Sequence, residues 1–196
     1  MTPTPTSTKE IRIVLGIDPG SLSTGYGLIK VLQNKLQFLA CGNIRTGGGN
    51  FPLRLKTIFT ELKKITELYQ PDEMAIEQVF ISRNPDSALK LGQARGAAIC
   101  AVQTANISVI EYTANQVKQA IVGKGHAGKK QVQHMVKVLL NLEEAPQSDA
   151  ADALAIAICH ANTQNTLQNL NANVSQRYPK EVLQSINGRR KKRFKI

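Results

Sequence analysis

Four carboxylates in this chain, Asp18, Glu77, Asp149 and Asp152, sit where surface charge is a poor explanation for them. Asp18 closes the apolar run Ile11 to Ile17 and is followed at once by Pro19-Gly20. That turn leaves its side chain at the carboxyl end of a strand, where open α/β sheets place their sites, although an Asp there also commonly stabilises its own turn. Glu77 lies within Met74-Ala-Ile-Glu-Gln-Val-Phe80, a run that otherwise reads as buried, and a buried Glu needs a partner or a metal. Asp149 and Asp152 are three apart at a helix start and so share a face. The positive end of a helix favours either acid alone, but it does not explain two like charges on an apolar face with no basic partner. A cation between these groups resolves the repulsion. All-oxygen ligands suit Mg²⁺, with Mn²⁺ as the alternative, and four carboxylates have room for two ions about 4 Å apart.

The surrounding charge gives this cluster its meaning. Formal net charge is +11, so the chain concentrates acidic groups at one point of a basic protein. Basic surfaces bind polyanions, carboxylates repel phosphates, and a divalent cation reconciles the two. The chemistry indicated is metal-dependent hydrolysis of nucleic-acid phosphodiesters. From Arg177 to Ile196, eight Lys or Arg stand against Glu181, which leaves +7 there and only +4 in residues 1–176. The terminal cluster reads as a solvated tail that can add sequence-independent DNA affinity. A second basic stretch, Lys118 to Lys137, holds five lysines and two histidines with no acid. Within it, Gly123-Lys-Gly-His-Ala-Gly128-Lys129-Lys130 nearly spells a phosphate-binding P-loop. Lys130, however, occupies the Ser/Thr position, and a helix rather than a strand precedes it. The loop is better read as a grip on DNA phosphates. His126 and His134 read as surface residues. Phe80, at the mouth of the site, can stack on a base or wedge between base pairs, and equally reads as a core residue at a strand end.

Composition bounds the rest. A chain of 196 residues that is 42% hydrophobic can bury one proper core. No apolar run is long enough to cross a bilayer, and the Thr/Pro-rich start is not a signal peptide. Three distant cysteines, Cys41, Cys100 and Cys159, suggest neither a disulfide framework nor a zinc cage, and a reducing cytoplasm is expected.

Strands are expected at Ile11–Ile17, Thr24–Val31, Leu36–Ile44, Met74–Val79 and Ser108–Tyr112, the second and third joined as a hairpin at Gln33-Asn34. Helical spacing marks Phe51–Tyr69, a small-residue helix from Pro85 to Thr104, then Ala114–Val122, Lys129–Leu140 and Ser148 to about His160. The order predicts a mixed five-stranded α/β sheet with helices on both faces. Residues 1–8 are expected to form a flexible extension, 9–162 the domain, and 163–196 an Asn/Gln-rich and basic tail.

With those segments placed, longer motifs become recognisable. Leu15-Gly-Ile-Asp-Pro-Gly-Ser with Thr24-Gly-Tyr-Gly, then Ala75-Ile-Glu-Gln-Val-Phe with Asp86-Ser-Ala-Leu-Lys-Leu-Gly-Gln-Ala-Arg-Gly, resemble the RuvC family of Holliday junction resolvases. Glu111-Tyr, Gln116-Val-Lys-Gln, Gln131-Val-Gln-His-Met-Val and Asp149-Ala-Ala-Asp-Ala-Leu-Ala continue the likeness over residues 11–161. It implies a ribonuclease H-like fold, a homodimer with one metal site per subunit, and paired symmetric nicks in opposite strands of a four-way junction. The ends left would be 5′-phosphate and 3′-hydroxyl. By the same resemblance, Asp18, Glu77, Asp149 and Asp152 are metal ligands and Lys118 and Lys129 lie near the scissile phosphate. Phe80 would disturb base pairing and Arg83 would contact DNA, while Lys130 is expected to do so as part of the glycine-rich loop. Partnership with a RuvA–RuvB branch-migration complex in the bacterial cytoplasm is implied too. A non-catalytic DNA-architectural protein is the main rival, and it leaves Glu77 and the Asp149/Asp152 pair unexplained. An actin-like phosphotransferase is a more distant one, since a single domain of this length lacks a second lobe to enclose ATP.

Overall fold

Strict alternation along the first strand divides the molecule into two cores. In the computed structural model, which describes residues 11–33, 35–79 and 84–177 (171–177 as backbone only), β1 spans Ile11–Asp18. Val14 points to one face of the sheet, and Leu15 and Ile17 point to the other. β2 (Ser23–Leu32) and β3 (Lys35–Arg45) complete an antiparallel meander, and Gln33 turns the chain between them with φ 48°. β4 (Glu73–Glu77) and β5 (Ser108–Tyr112) add parallel strands, giving the five-stranded order β3-β2-β1-β4-β5. The two parallel crossovers are helices: α1 (Phe51–Tyr69) leads into β4 and α2 (Pro85–Gln103) into β5.

Both crossover helices cover the Leu15/Ile17 face, where Ile58, Leu62, Ala94, Ala98 and Val102 pack on Leu28, Met74 and Ile76. Local chemistry starts and stops them. The Asn50 side chain accepts from the Leu53 amide and Gln70 closes α1 in a left-handed conformation, while the Asn84 side chain caps α2. The opposite face is covered by α3 (Ala114–Val122), α4 (Lys129–Leu139) and α5 (Ser148–Arg177). There Val117, Val132, Val136, Leu154 and Ile158 pack against Val14, Ile29 and Ala75. The sandwich of helices, sheet and helices agrees with the sequence expectation.

Two boundaries differ from it by more than one residue. β4 ends at Glu77, not Val79, because its neighbours run out: β1 stops at Asp18 and β5 at Tyr112. Glu77 is therefore at the carboxyl end of its strand. The last helix runs to Arg177 instead of stopping near His160. Asn and Gln are only mildly unfavourable in a helix, and no Gly or Pro interrupts the segment before Pro179. The chain divides into two compact units, Met1–Ala161 and Asn162–Ile196, the latter described through the helical residues 162–177. Among the described residues, no helix is long and apolar enough to cross a membrane.

Candidate active site

Helix α5 brings the distant acids together, and missing side chains let it approach. A Cβ on Gly16 would fall 2.1 Å from the Ala153 carbonyl oxygen, and one on Gly25 would fall 2.1 Å from that of Asp149. Neither position tolerates even alanine without moving the helix, so the backbone of α5 rests directly on β1 and β2. Register along the helix axis is fixed at the far end. Fully buried His160 places Nε2 2.9 Å from Glu73 Oε2, and its Nδ1 lies 2.9 Å from the Tyr112 hydroxyl. Arg12 reaches the same Glu73 oxygen at 3.4 Å. From His160 back to Asp152 the helix rises about 12 Å, and from Glu73 to Glu77 the strand advances about 13 Å. The matched lengths bring Asp152 beside Glu77.

His160→Phe preserves ring volume but removes both hydrogen bonds. It is expected to lower stability by about 2–4 kcal/mol, measured by urea denaturation. An unchanged midpoint would mean that the glycine contacts alone set the register.

At the carboxyl ends of β1 and β4 a cavity of about 270 Å³ is lined by Asp18, Glu77, Asp152, Lys118 and Lys129. Its apolar wall is formed by Ala114, Val117, Val132 and Ile156. Lys129 Nζ lies 3.5 Å from Asp152 Oδ2. Asp149 is turned aside: its Oδ2 accepts from the Ser23 hydroxyl at 2.7 Å, and it does not line the cavity.

The electrostatics follow from this crowding. Burial first, then repulsion from Glu77, Asp152 and Asp149, pushes the Asp18 carboxyl up to about 8, with Lys129 opposing. Burial and the Asp152 charge raise Glu77, while a hydrogen bond from Asp18 and the two lysines pull it down. Burial also raises Asp152 against the pull of Lys129, and Asp152 in turn raises Lys129. Without a cation, this crowding favours the protonated form of Asp18 near neutral pH, with Glu77 as its hydrogen-bond partner.

Among the described residues no three acidic, imidazole or thiol groups are closed around a single point as a finished metal cage. The donor set nevertheless fits a hard divalent cation. Its ligands are carboxylate oxygens, and the three that line the cavity are each raised by burial. A cation would relieve that strain, displacing the Asp18 proton and competing with Lys129 for Asp152.

The remaining expected site residues fall in different places. Lys118 is partly buried in the cavity wall and Lys129 reaches into the cavity from the start of α4. Lys130 is exposed and does not line the cavity, and His126 and His134 are exposed as expected. Phe80 and Arg83 lie outside the described residues, as do residues 1–8 and the basic cluster Arg189–Arg193. Two contributors escaped the sequence reading. Ser23 sits in an unremarkable Ser-Leu-Ser-Thr stretch, and its role appears only once β2 lies under α5. His160 could have been flagged as the one polar side chain at the end of an apolar helical run.

Comparison with known proteins places this geometry among junction nucleases. Residues 14–160 match the family model described as crossover junction endodeoxyribonuclease RuvC. A crossover junction endodeoxyribonuclease RuvC from Shewanella sp. (strain ANA-3) is 55% identical over 167 residues, covering 85% of this chain and 96% of its own length. The Thermus thermophilus RuvC structure is similar with TM-score 0.71 and 36% identity over 79% of this chain and 96% of that one. T. thermophilus RuvC in complex with Holliday junction substrate is similar with TM-score 0.72 and 37% identity, over 76% and 93% of the two chains. The yeast mitochondrial Holliday junction resolvase Ydc2 shares the fold at 15% identity, with TM-score 0.63 over 84% of this chain and 86% of that one. The sheet and its helices are thus a ribonuclease H-like nuclease fold.

Proposed function

The chain belongs to the RuvC family of crossover junction endodeoxyribonucleases, and on that premise we propose that the Asp18 cavity cuts four-way DNA junctions by metal-dependent hydrolysis. The observation that carries this reading is the convergence of Asp18, Glu77 and Asp152 with Lys118 and Lys129 in one small cavity. Asp18, Glu77 and Asp152 in the cavity, joined by Asp149 from its edge once it leaves Ser23, would hold Mg²⁺, two ions per site, with Mn²⁺ able to replace it. When bound, such a cation makes a water acidic enough to attack phosphorus and offsets charge on the phosphoryl oxygens.

The protein groups supply placement and charge. With a cation bound, Asp18 would give up its proton and serve as a full anionic ligand. Lys129, released from Asp152, and Lys118 face the equatorial phosphoryl oxygens as charge develops there. The apolar wall of Val117, Val132 and Ile156 limits the water that could screen these interactions. Water oxygen bonds to phosphorus, the bond to the 3′ oxygen breaks and that oxygen is protonated. The products are a 5′-phosphate and a 3′-hydroxyl.

Paired nicks need two such sites, and a homodimer supplies them with symmetry matching the junction. The exposed side of α2 supports self-association: Leu89 is 62% exposed, and nothing lies within 4 Å of a Cβ built at Gly92 or Gly96. Phe80, Arg83 and Lys130 are assigned to DNA contact, with Phe80 opening base pairs at the junction centre. The domain spans residues 9–162, followed by a tail that strengthens DNA binding without reading sequence. We place the enzyme in the bacterial cytoplasm beside the RuvA–RuvB branch-migration complex.

The test is incubation of the protein with an immobile four-way junction and a matched linear duplex, with and without Mg²⁺. Symmetric nicks in the junction alone, dependent on the cation, are expected. Binding to both substrates with no cutting in any divalent cation would favour the DNA-architectural reading instead.

A further inference from the structure

Across the first turn of α5 from the carboxylates, strand β3 and the helix enclose a second groove of about 410 Å³, lined by Cys41, Gly42, Asn43, Arg45, Gln147 and Ala150. Building on the nuclease reading, we propose that this groove receives the nucleotide next to the scissile phosphate on the cut strand. Arg45 pairs with its phosphate, and the Asn43–Gln147 amides read its base edge.

Sheet register makes the groove part of the same machinery. Asp18 pairs with Gly25, and Gly25 pairs with Asn43, so the three residues form one row across the sheet and face the same side. Two strand spacings put the Asn43 backbone roughly 10 Å from that of Asp18. The first turn of α5 is seated on Gly25, in the middle of that row. Arg45 pairs with Ser23, whose hydroxyl holds Asp149, so the groove and the carboxylate cluster share a boundary residue.

The chemistry of the groove suits a nucleotide. A DNA strand crossing a carboxylate cluster carries phosphates on both sides of the one being cut, and each needs a cation from the protein. Lys118 and Lys129 stand on one flank. On the other flank Arg45 is exposed and makes no ion pair among the described residues. Beneath it, Asn43 donates through Nδ2 to Gln147 Oε1 at 3.2 Å, while Asn43 Oδ1 is buried without a hydrogen-bond partner. Parting of the Asn43 and Gln147 amides uncovers this orphaned oxygen, which then accepts from a ligand N–H. The exocyclic amine of adenine or cytosine provides one.

Two measurements on the full chain test the assignment. Junction binding followed against salt in chelator should give Arg45→Ala a slope shallower by about 0.9. Cleavage of a junction panel, varied one nucleotide at a time around the nick, should give Asn43→Ala about 10-fold slower cutting at the preferred sequence. Its preference should flatten at a single flanking position while the other positions keep their ranking. Where Asn43→Ala melts early, Asn43→Ser is expected to show the same flattening. Wild-type cutting with salt slope and sequence ranking unchanged in the variants overturns the groove. No cutting by wild type on any junction would instead overturn the nuclease reading, and the Arg45 slope then decides the phosphate contact by itself.

Discussion

Asp18→Asn is expected to abolish junction nicking while junction binding survives. The substitution keeps the shape of the side chain and removes its charge at the position where repulsion within the cluster is greatest. A cation that stabilises a phosphoryl-transfer transition state contributes several kcal/mol, so the loss should reach at least about 10³-fold in rate. Glu77→Gln is expected to behave in the same way. Affinity should hold or improve, because each variant takes one negative charge from a surface that meets phosphates. Gel shift in chelator and single-turnover cleavage in Mg²⁺ separate these effects. Cleavage within about tenfold of wild type in either variant would remove the carboxylates from the chemistry.

The second large effect is on stability, and its sign follows from the Asp18 carboxyl. Its value is about 8 in the folded protein against an ordinary 3.8. Between those values the folded state holds a proton that the unfolded state has released, so stability falls as pH rises through the window. Wild-type protein in chelator should therefore lose ground to Asp18→Asn between about pH 4 and pH 8. At pH 8 the variant should melt higher by several degrees, each 1 kcal/mol of this linkage being worth about 2–4 °C in a chain of this size. Mg²⁺ competes with the proton, so it should raise the wild-type melting temperature at pH 8, raise it little at pH 5, and leave the variant nearly unmoved. A melting difference between the two proteins that is the same at pH 5 and pH 8 in chelator would mean that Asp18 ionises freely. The cavity would then lack the crowding that invites a cation. A site built for metal is less stable without it than the same fold with the charge removed.

Much of this architecture was legible because it depends on local pattern. Alternation in Ile11–Asp18, the 3.6-residue spacing of Phe51–Tyr69 and the Pro and Gly punctuation placed every element to within a few residues, the end of α5 excepted. Where the reading slipped, the cause was not local. β4 stops where its neighbouring strands stop, which no property of Gln78 or Val79 announces. α5 continues past His160 because nothing in the Asn/Gln-rich segment breaks it, and absence of packing was a poor guide to helix length.

The residue types of the site were equally legible: four acids where acids are costly, in a basic chain, with lysines in a glycine-rich loop nearby. That pointed to metal-dependent hydrolysis, since a hard cation reconciles carboxylates with a phosphodiester. Tertiary structure alone decided how the acids stand to one another. Asp149 leans on Ser23, Asp152 faces Lys129, and Asp18 stands against Glu77. The first two depend on ångström distances between segments 126 and 23 residues apart, set by how far α5 slides along the sheet before His160 meets Glu73, and the third on the register of β1 against β4. Sequence spacing carries no information about that sliding distance, because it is the sum of packing over a whole face.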